Sequence, residues 1–399
     1  MQTPTGKRIE SIDILRGIVM VIMALDHVRD FFHISAQTGD PLDIEHYNVP
    51  LYFTRWVTHF CAPIFVFLSG TSIYLQSFRK TKKELGIFVI KRGLWLILAE
   101  WTLIAFAWTF NPYFETLPFQ VIWAIGLSMV ITGLLLILNT PYKLILALGI
   151  LIVLGHNALD FIEDDPGFKA GLLWNLVHSG FFKPYPIWDN HYAIIIYPFL
   201  PWTGLMFLGY CFGKLYMPTN SSEFRIKWLR VSGLALLIFF VVVRFTNLYG
   251  DPFDWTSFPT FTQTFLSFIK VHKYPPSLLY LCVTIGIGLI ALSFLEHTKN
   301  KFTAIMKTFG RTAFFYYILH LYFIHIFAVI YYFATGHCLK DVWKIGDNFP
   351  FLFVVPGQGE NLAIVYLIWI GLIICLFPIC KWYDRYKTEH KEKWWLGYI

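Results

Sequence analysis

Ten runs of about twenty predominantly apolar residues recur along the 399-residue chain, and each is long enough to cross the hydrocarbon core of a bilayer. They lie near 10–31, 56–77, 85–108, 119–138, 143–161, 192–214, 227–247, 276–296, 312–333 and 362–383. Lipid offers no partner for backbone N–H and C=O groups, so segments of this length must satisfy them internally as helices. The expected fold is therefore an all-α polytopic membrane protein of about ten transmembrane helices. The whole chain, 1–399, reads as one transmembrane domain, with no inserted soluble domain and no repeat at a fixed period. Composition agrees: 56% of residues are hydrophobic and only 14% charged, where a soluble domain carries about 25%.

An even number of spans puts both termini on one side of the membrane, and the charge distribution tests that. The connecting segments RKTKKE (79–84), FRIKWLR (224–230) and KNKFTAIMK (299–307) are basic, whereas GDPLDIEHY (39–47) and FIEDDPGF (161–168) are acidic. Of the 32 Lys and Arg, 23 fall on the side of the termini and 9 on the other. By the positive-inside rule both termini are expected in the cytoplasm, in a cytoplasmic (inner) membrane. The net charge of +7 is then a signal of topology, with some contact to anionic headgroups, and not of nucleic-acid binding. The N-terminal MQTPTGKRIES lacks a signal-peptide cleavage site, so the first apolar segment is expected to remain as a helix. Five of the six cysteines fall in apolar runs without zinc or disulfide spacing and read as core thiols.

Against that apolar background the first segment, SIDILRGIVMVIMALDHVRDFFH (11–33), is unusual. A charge near the bilayer centre costs roughly 2.5 kcal/mol or more, so such residues face a partner, a cavity or a substrate. Asp13 and Arg16 share a helix face near the cytoplasmic end. They suit either an ion pair at the interface or an anchor for an anionic ligand, with Arg16 as donor. Asp26, His27, Arg29, Asp30 and His33 crowd the outer end, with His27 and Asp30 three residues apart. A carboxylate beside an imidazole fixes its tautomer and raises its basicity, as a general base requires. Ordinary ion pairs at a solvated helix end are the alternative.

Further polar residues interrupt other spans. His59 stands four residues before Pro63, which frees a backbone carbonyl, and an antiparallel pairing of the first two spans brings His59 toward His27. Glu100 is buried in apolar sequence and must be protonated, paired or facing water. Gln120, Trp123 and Gly126 share one face of the fourth span, Pro198 and Pro201 break the sixth, and His320 punctuates an aromatic ninth. Ten of the thirteen histidines map to the outer half or outer loops, which points to a polar site opening outward. No P-loop, G-x-G-x-x-G, H-E-x-x-H or G-x-S-x-G occurs, and the His spacing matches no zinc pattern, so no metal is expected.

Several stretches together resemble a known family. RIESIDILRGIVMVIMALDHVRDFFH, THFCAPIFVFLSGTS, VIWAIGLS, YPFLPWTGLMFLGYCFG and FGRTAFFYYILHLY, in that order, resemble bacterial relatives of heparan-alpha-glucosaminide N-acetyltransferase. The S-x-D-x-x-R-G start is shared with other membrane acyltransferases, which carry a His ten residues after that Gly, here His27. The resemblance implies transfer of an acetyl group from cytoplasmic acetyl-CoA, as co-substrate, to an amine or hydroxyl of a sugar or glycan on the outer side. It implies a helical bundle with a through-going cavity in the lipid bilayer. Lysosomal members have Asn where His27 stands and a catalytic His later in the first outer loop, for which His33 is the local counterpart. The base is thus His27 or His33, with His27 favoured through Asp26 or Asp30. His59, Glu100, Trp123 and His320 are expected around the acceptor, and Arg16, Asp13 and Arg311 around CoA. A homodimer is one assembly open to such a chain. A different class, a proton-coupled secondary transporter with Glu100 and the membrane His as relay, is the rival reading.

Overall fold

The computed structural model describes residues 8–36, 38–346 and 351–398. It is mostly helical, at 69% helix with little sheet. Among the described residues, six helices are both long and apolar enough to cross a membrane: Val49–Gln76, Tyr142–Glu163, Ser222–Thr246, Leu278–Leu295, Ala313–Ala334 and Leu362–Glu389. The other four apolar runs are helical too, but shorter, broken or more charged. Helix α1 (Glu10–Phe32) is one unbroken rod whose six charged residues set it apart from the rest. The run at 85–108 is divided into Lys82–Ala99, a π-helical turn Glu100–Ile104, and Ala105–Thr109. Val121–Ile137 is apolar but short.

Three expectations change. The run at 192–214 does not begin as helix: residues His191–Ile195 form a strand, and the helix Phe199–Phe212 starts only after Pro198. Proline disfavours helical backbone in the residue before it, and the β-branched AIII that precedes it suits a strand. That strand is central in a small sheet, parallel to Thr116–Phe119 and antiparallel to Phe181–Trp188. The basic loop KNKFTAIMK is largely helical, in Lys301–Arg311, capped by Asn300 and separated from Ala313–Ala334 by a break at Thr312. Cys375 is exposed on its helix instead of lying in a core.

Close helix crossings are made by glycines facing one another. Gly17 of α1 meets Gly310 of Lys301–Arg311, where a Cβ on Gly17 would strike the carbonyl of Met306 and one on Gly310 the carbonyl of Asp13. Lys82–Ala99 and Val121–Ile137 share a seam of two such pairs, Gly86 with Gly133 and Gly93 with Gly126. A Cβ on Gly126 would lie 2.7 Å from the Gly93 carbonyl oxygen. Lipid tails are as apolar as leucine, so association within a membrane relies on such close backbone approach rather than on a hydrophobic driving force.

The same logic fixes α1 at the centre of its neighbours. Cys61 Sγ donates to the Val19 carbonyl at 3.3 Å, and Trp369 Nε1 donates to the Val21 carbonyl at 2.8 Å. At its start Ser11 Oγ donates to Glu296 at 2.6 Å, and Glu296 pairs with Arg225 at 2.9 Å. The Gly17→Leu variant is predicted to lose its monodisperse elution in detergent and its cooperative thermal transition. Gly371→Leu, at a helical position with nothing within 4 Å of the added Cβ, is predicted to elute and melt like the wild type.

Candidate active site

The C-terminal half of α1 brings His27 against His320 of the helix Ala313–Ala334. The two rings stack at 17°, and His27 Nδ1 lies 2.7 Å from His320 Nε2. The other nitrogen of His320, Nδ1, lies 3.0 Å from the Tyr316 carbonyl oxygen, which can only accept. For neutral rings the hydrogens are then fixed: His320 carries its proton on Nδ1, its Nε2 accepts, and His27 Nδ1 donates. Nε2 of His27 is left as a lone pair. His320 is completely buried and His27 only partly so. Trp108 stands edge-on to the His27 ring at 4.8 Å, and Phe31 and Phe351 continue that aromatic wall.

On α1 beside His27, Asp26 anchors a group of buried cations. Its carboxylate lies 3.0 Å from Arg29 and 2.5 Å from Arg55, and Arg29 reaches Asp30 at 2.5 Å. Nε and Nη1 of Arg29 are buried with no hydrogen-bond partner. Lys273 is also buried, its ammonium 5.0 Å from the centre of the Tyr274 ring, and its charge acts on Asp26, His27 and His59. Three cations thus face two carboxylates, with donors to spare for a further anion or a developing oxyanion. Burial raises the Tyr274 phenol, but Lys273 and Arg55 more than offset this and hold it below the ordinary tyrosine value.

The loop that carries Lys273 is fixed by Asp251. Its Oδ2 accepts from the His272 backbone N–H at 2.9 Å and from Ser277 Oγ at 2.7 Å, and His272 Nε2 donates to the Tyr274 carbonyl at 2.7 Å. Tyr280, one turn into the next helix, donates to the His59 carbonyl at 2.7 Å. The carbonyl that His59 offers so close to Pro63 is therefore used by a tyrosine.

A second polar cluster surrounds the N-terminal end of α1. Asp13 pairs with both Arg8 and Arg16, and Arg16 also donates to Ser72 Oγ at 2.9 Å. Arg311 pairs with Asp384 at 2.9 Å and donates to Thr388 Oγ1 at 3.0 Å. Lys387 lies within the field of Arg92, Arg8 and Arg311. Five cations here are set against two carboxylates, an excess suited to phosphate groups.

The residues expected at the site are thus distributed over several places. His27 and His320 touch; Asp26 and Asp30 serve Arg29 and Arg55, and the ring that holds His27 Nδ1 is His320. His33 lies six residues further along α1, bonded through Nδ1 to Ser35 at the helix end. Glu100 and Trp123 meet each other: Glu100 Oε2 accepts from the Trp123 backbone N–H at 3.0 Å, at the start of the helix Val121–Ile137. The carboxyl oxygen there accepts from a first-turn N–H that has no partner within its own helix. Arg55, Lys273 and Tyr274 were not expected. A lysine between His272 and Tyr274 on the acidic outer side ran against the topology signal and could have drawn attention to that loop.

With this geometry established, comparison with known proteins identifies a family. A family model described as heparan-alpha-glucosaminide N-acetyltransferase, catalytic, matches residues 8–244. That stretch holds Arg16, His27 and Arg55, whereas Lys273 and His320 lie beyond it. No match was found among curated proteins. The match covers more than half of the sequence, and the chain belongs to the heparan-alpha-glucosaminide N-acetyltransferase-like family of membrane transferases.

Proposed function

We propose that this chain is an acetyl-CoA-dependent acetyltransferase that modifies an amine or hydroxyl of a sugar at the outer side of the cytoplasmic membrane. In this reading all ten apolar segments cross the bilayer, both termini are cytoplasmic, and the chain works as a single domain. The observation that carries the reading is the His27–His320 hydrogen bond. With His320 Nδ1 committed to the Tyr316 carbonyl, it leaves the partly exposed His27 with a free lone pair on Nε2.

His27 Nε2 takes the proton from the acceptor nitrogen or oxygen as that atom attacks the acetyl carbonyl. Lys273, with the spare donors of Arg29, stabilises the negative charge that develops on the carbonyl oxygen. When the carbon–sulfur bond breaks, His27 returns its proton to the departing thiolate. His320 supplies no charge, so its contribution is to hold the ring and its tautomer. At the other end, Arg16, Arg311 and the neighbouring cations bind the phosphates of CoA. Arg16 and His27 are eleven residues apart on one helix, roughly 16 Å of rise, a span suited to an extended acyl-carrying arm. The rival relay reading would place the travelling proton on Glu100, whose Oε2 is held by the Trp123 backbone N–H.

Two outcomes are expected with purified protein, acetyl-CoA and a glucosamine acceptor. His27→Ala lowers CoA release by about 10²–10⁴-fold while acetyl-CoA binding, measured by calorimetry, is retained. Lys273→Met lowers kcat by about 10²–10³-fold with little change in the KM for acetyl-CoA. Turnover that survives in His27→Ala transfers the role of base to His33, and loss of acetyl-CoA binding in Lys273→Met moves that lysine to the donor site.

A further inference from the structure

A second group of histidines and carboxylates lies apart from the His27 site. His156 opens a 3-10 turn, His156–Leu159, after the helix Tyr142–Gly155, and Asp160 and Glu163 follow on the next turn. His178 comes from the π-helical turn Asn175–Ser179. Both imidazoles are buried, with His156 at 3% exposure and His178 at zero. Donor atoms of Asp160, Glu163 and His178 all lie within 4.8 Å of one another.

The hydrogen positions follow from the partners. Glu163 Oε1 lies 2.7 Å from His178 Nδ1, so an ionised Glu163 accepts and Nδ1 carries the proton. His178 Nε2 then presents a lone pair, 3.3 Å from His156 Nδ1 and 3.8 Å from Asp160 Oδ1. A nitrogen–nitrogen separation of 3.3 Å is long for a hydrogen bond. It equals the edge of a tetrahedron whose ligands stand about 2.0–2.1 Å from a central zinc ion. The carboxylates are themselves oriented: Trp174 Nε1 donates to Glu163 at 2.6 Å, and Asn157 Nδ2 donates to Asp160 Oδ2 at 2.7 Å. A carboxylate on the far nitrogen of a ligating histidine is the usual support of a zinc site.

We infer that His156 Nδ1 and His178 Nε2, 3.3 Å apart, are the two imidazole ligands of a divalent transition metal of the zinc class, with Asp160 Oδ1, 3.8 Å from His178 Nε2, as the carboxylate drawn in to the ion, Glu163 holding His178, and water completing the tetrahedron. The three ligands come from two separate turns at irregular spacing, which is why no zinc pattern is visible in the sequence. The ion ties the end of the helix Tyr142–Gly155 to the turn that leads into the hairpin strands Phe181–Trp188 and His191–Ile195. Asn157 extends the tie, because its Oδ1 accepts from the backbone N–H of Leu278 at 2.9 Å, just beyond the loop that carries Lys273.

The test uses full-length protein in detergent, stripped with chelator and titrated with Zn²⁺, or with Co²⁺ for its tetrahedral visible bands. One equivalent is expected to bind and to raise the thermal midpoint. His156→Ala and His178→Ala are expected to weaken binding at least 100-fold, and Glu163→Gln about 10–100-fold. His27→Ala, at the other histidine pair, is expected to bind like the wild type. Failure of the wild type to bind Zn²⁺ at micromolar concentration overturns the inference, as does unchanged binding in His178→Ala. Should the alanine variants not fold, X-ray absorption of the zinc-loaded wild type decides directly. Two imidazole ligands support the site, and one or none overturns it.

Discussion

The structure depends on neutralising Asp26 inside a helix that is otherwise apolar. A buried carboxylate without partners is costly, and removing one partner of such a pair costs about 3–5 kcal/mol because the other charge is left uncompensated. Arg29, one turn along α1, and Arg55, from the helix Val49–Thr58, meet that need. Their placement requires the second helix to enter beside the C-terminal end of α1, and it draws the Lys273 loop over the same region. The glycine contact at Gly17 and Gly310 does for the N-terminal half what the ion pairs do for the C-terminal half. Between them α1 is fixed in rotation, and its rotation decides which way His27 points.

Fixed rotation holds two polar clusters on one rigid element. The Asp13–Arg16 end is rich in cations and the His27 end has an imidazole of defined tautomer; under the proposed function one helix would relate donor binding to acceptor activation. Asp26 and His27 are adjacent in sequence yet have different partners: the carboxylate serves the cations and the imidazole faces His320. Tyr316 is the remote member of this chain, since its carbonyl sets which nitrogen of His320 is protonated.

The helical class and the positions of the apolar segments could be read from the sequence because hydropathy over twenty residues is a local property. The start of α1 stood out for the same reason, its charges being misplaced against their immediate surroundings. Partners were another matter. His27 and His320 are 293 residues apart, and nothing local links them. A carboxylate near an imidazole in sequence suggested Asp26 or Asp30 as its orienter, whereas tertiary packing gave those acids to arginines. Arg55 and Lys273 escaped notice because basic residues outside apolar runs are weighed as topology signals, which takes no account of burial. The small sheet was hidden in FFKPYPIW, whose prolines and lysine interrupt any alternating pattern.

The central claim is that His27 is neutral with its proton on Nδ1 and its lone pair on Nε2. Nitrogen-15 solid-state spectra of histidine-labelled protein in lipid test it, with His27 identified as the signals missing from His27→Gln. One protonated Nδ1 and one unprotonated Nε2 should disappear together. Loss of a protonated Nε2 with a bare Nδ1 would contradict the account, because the nitrogen available to substrate would then already hold its hydrogen.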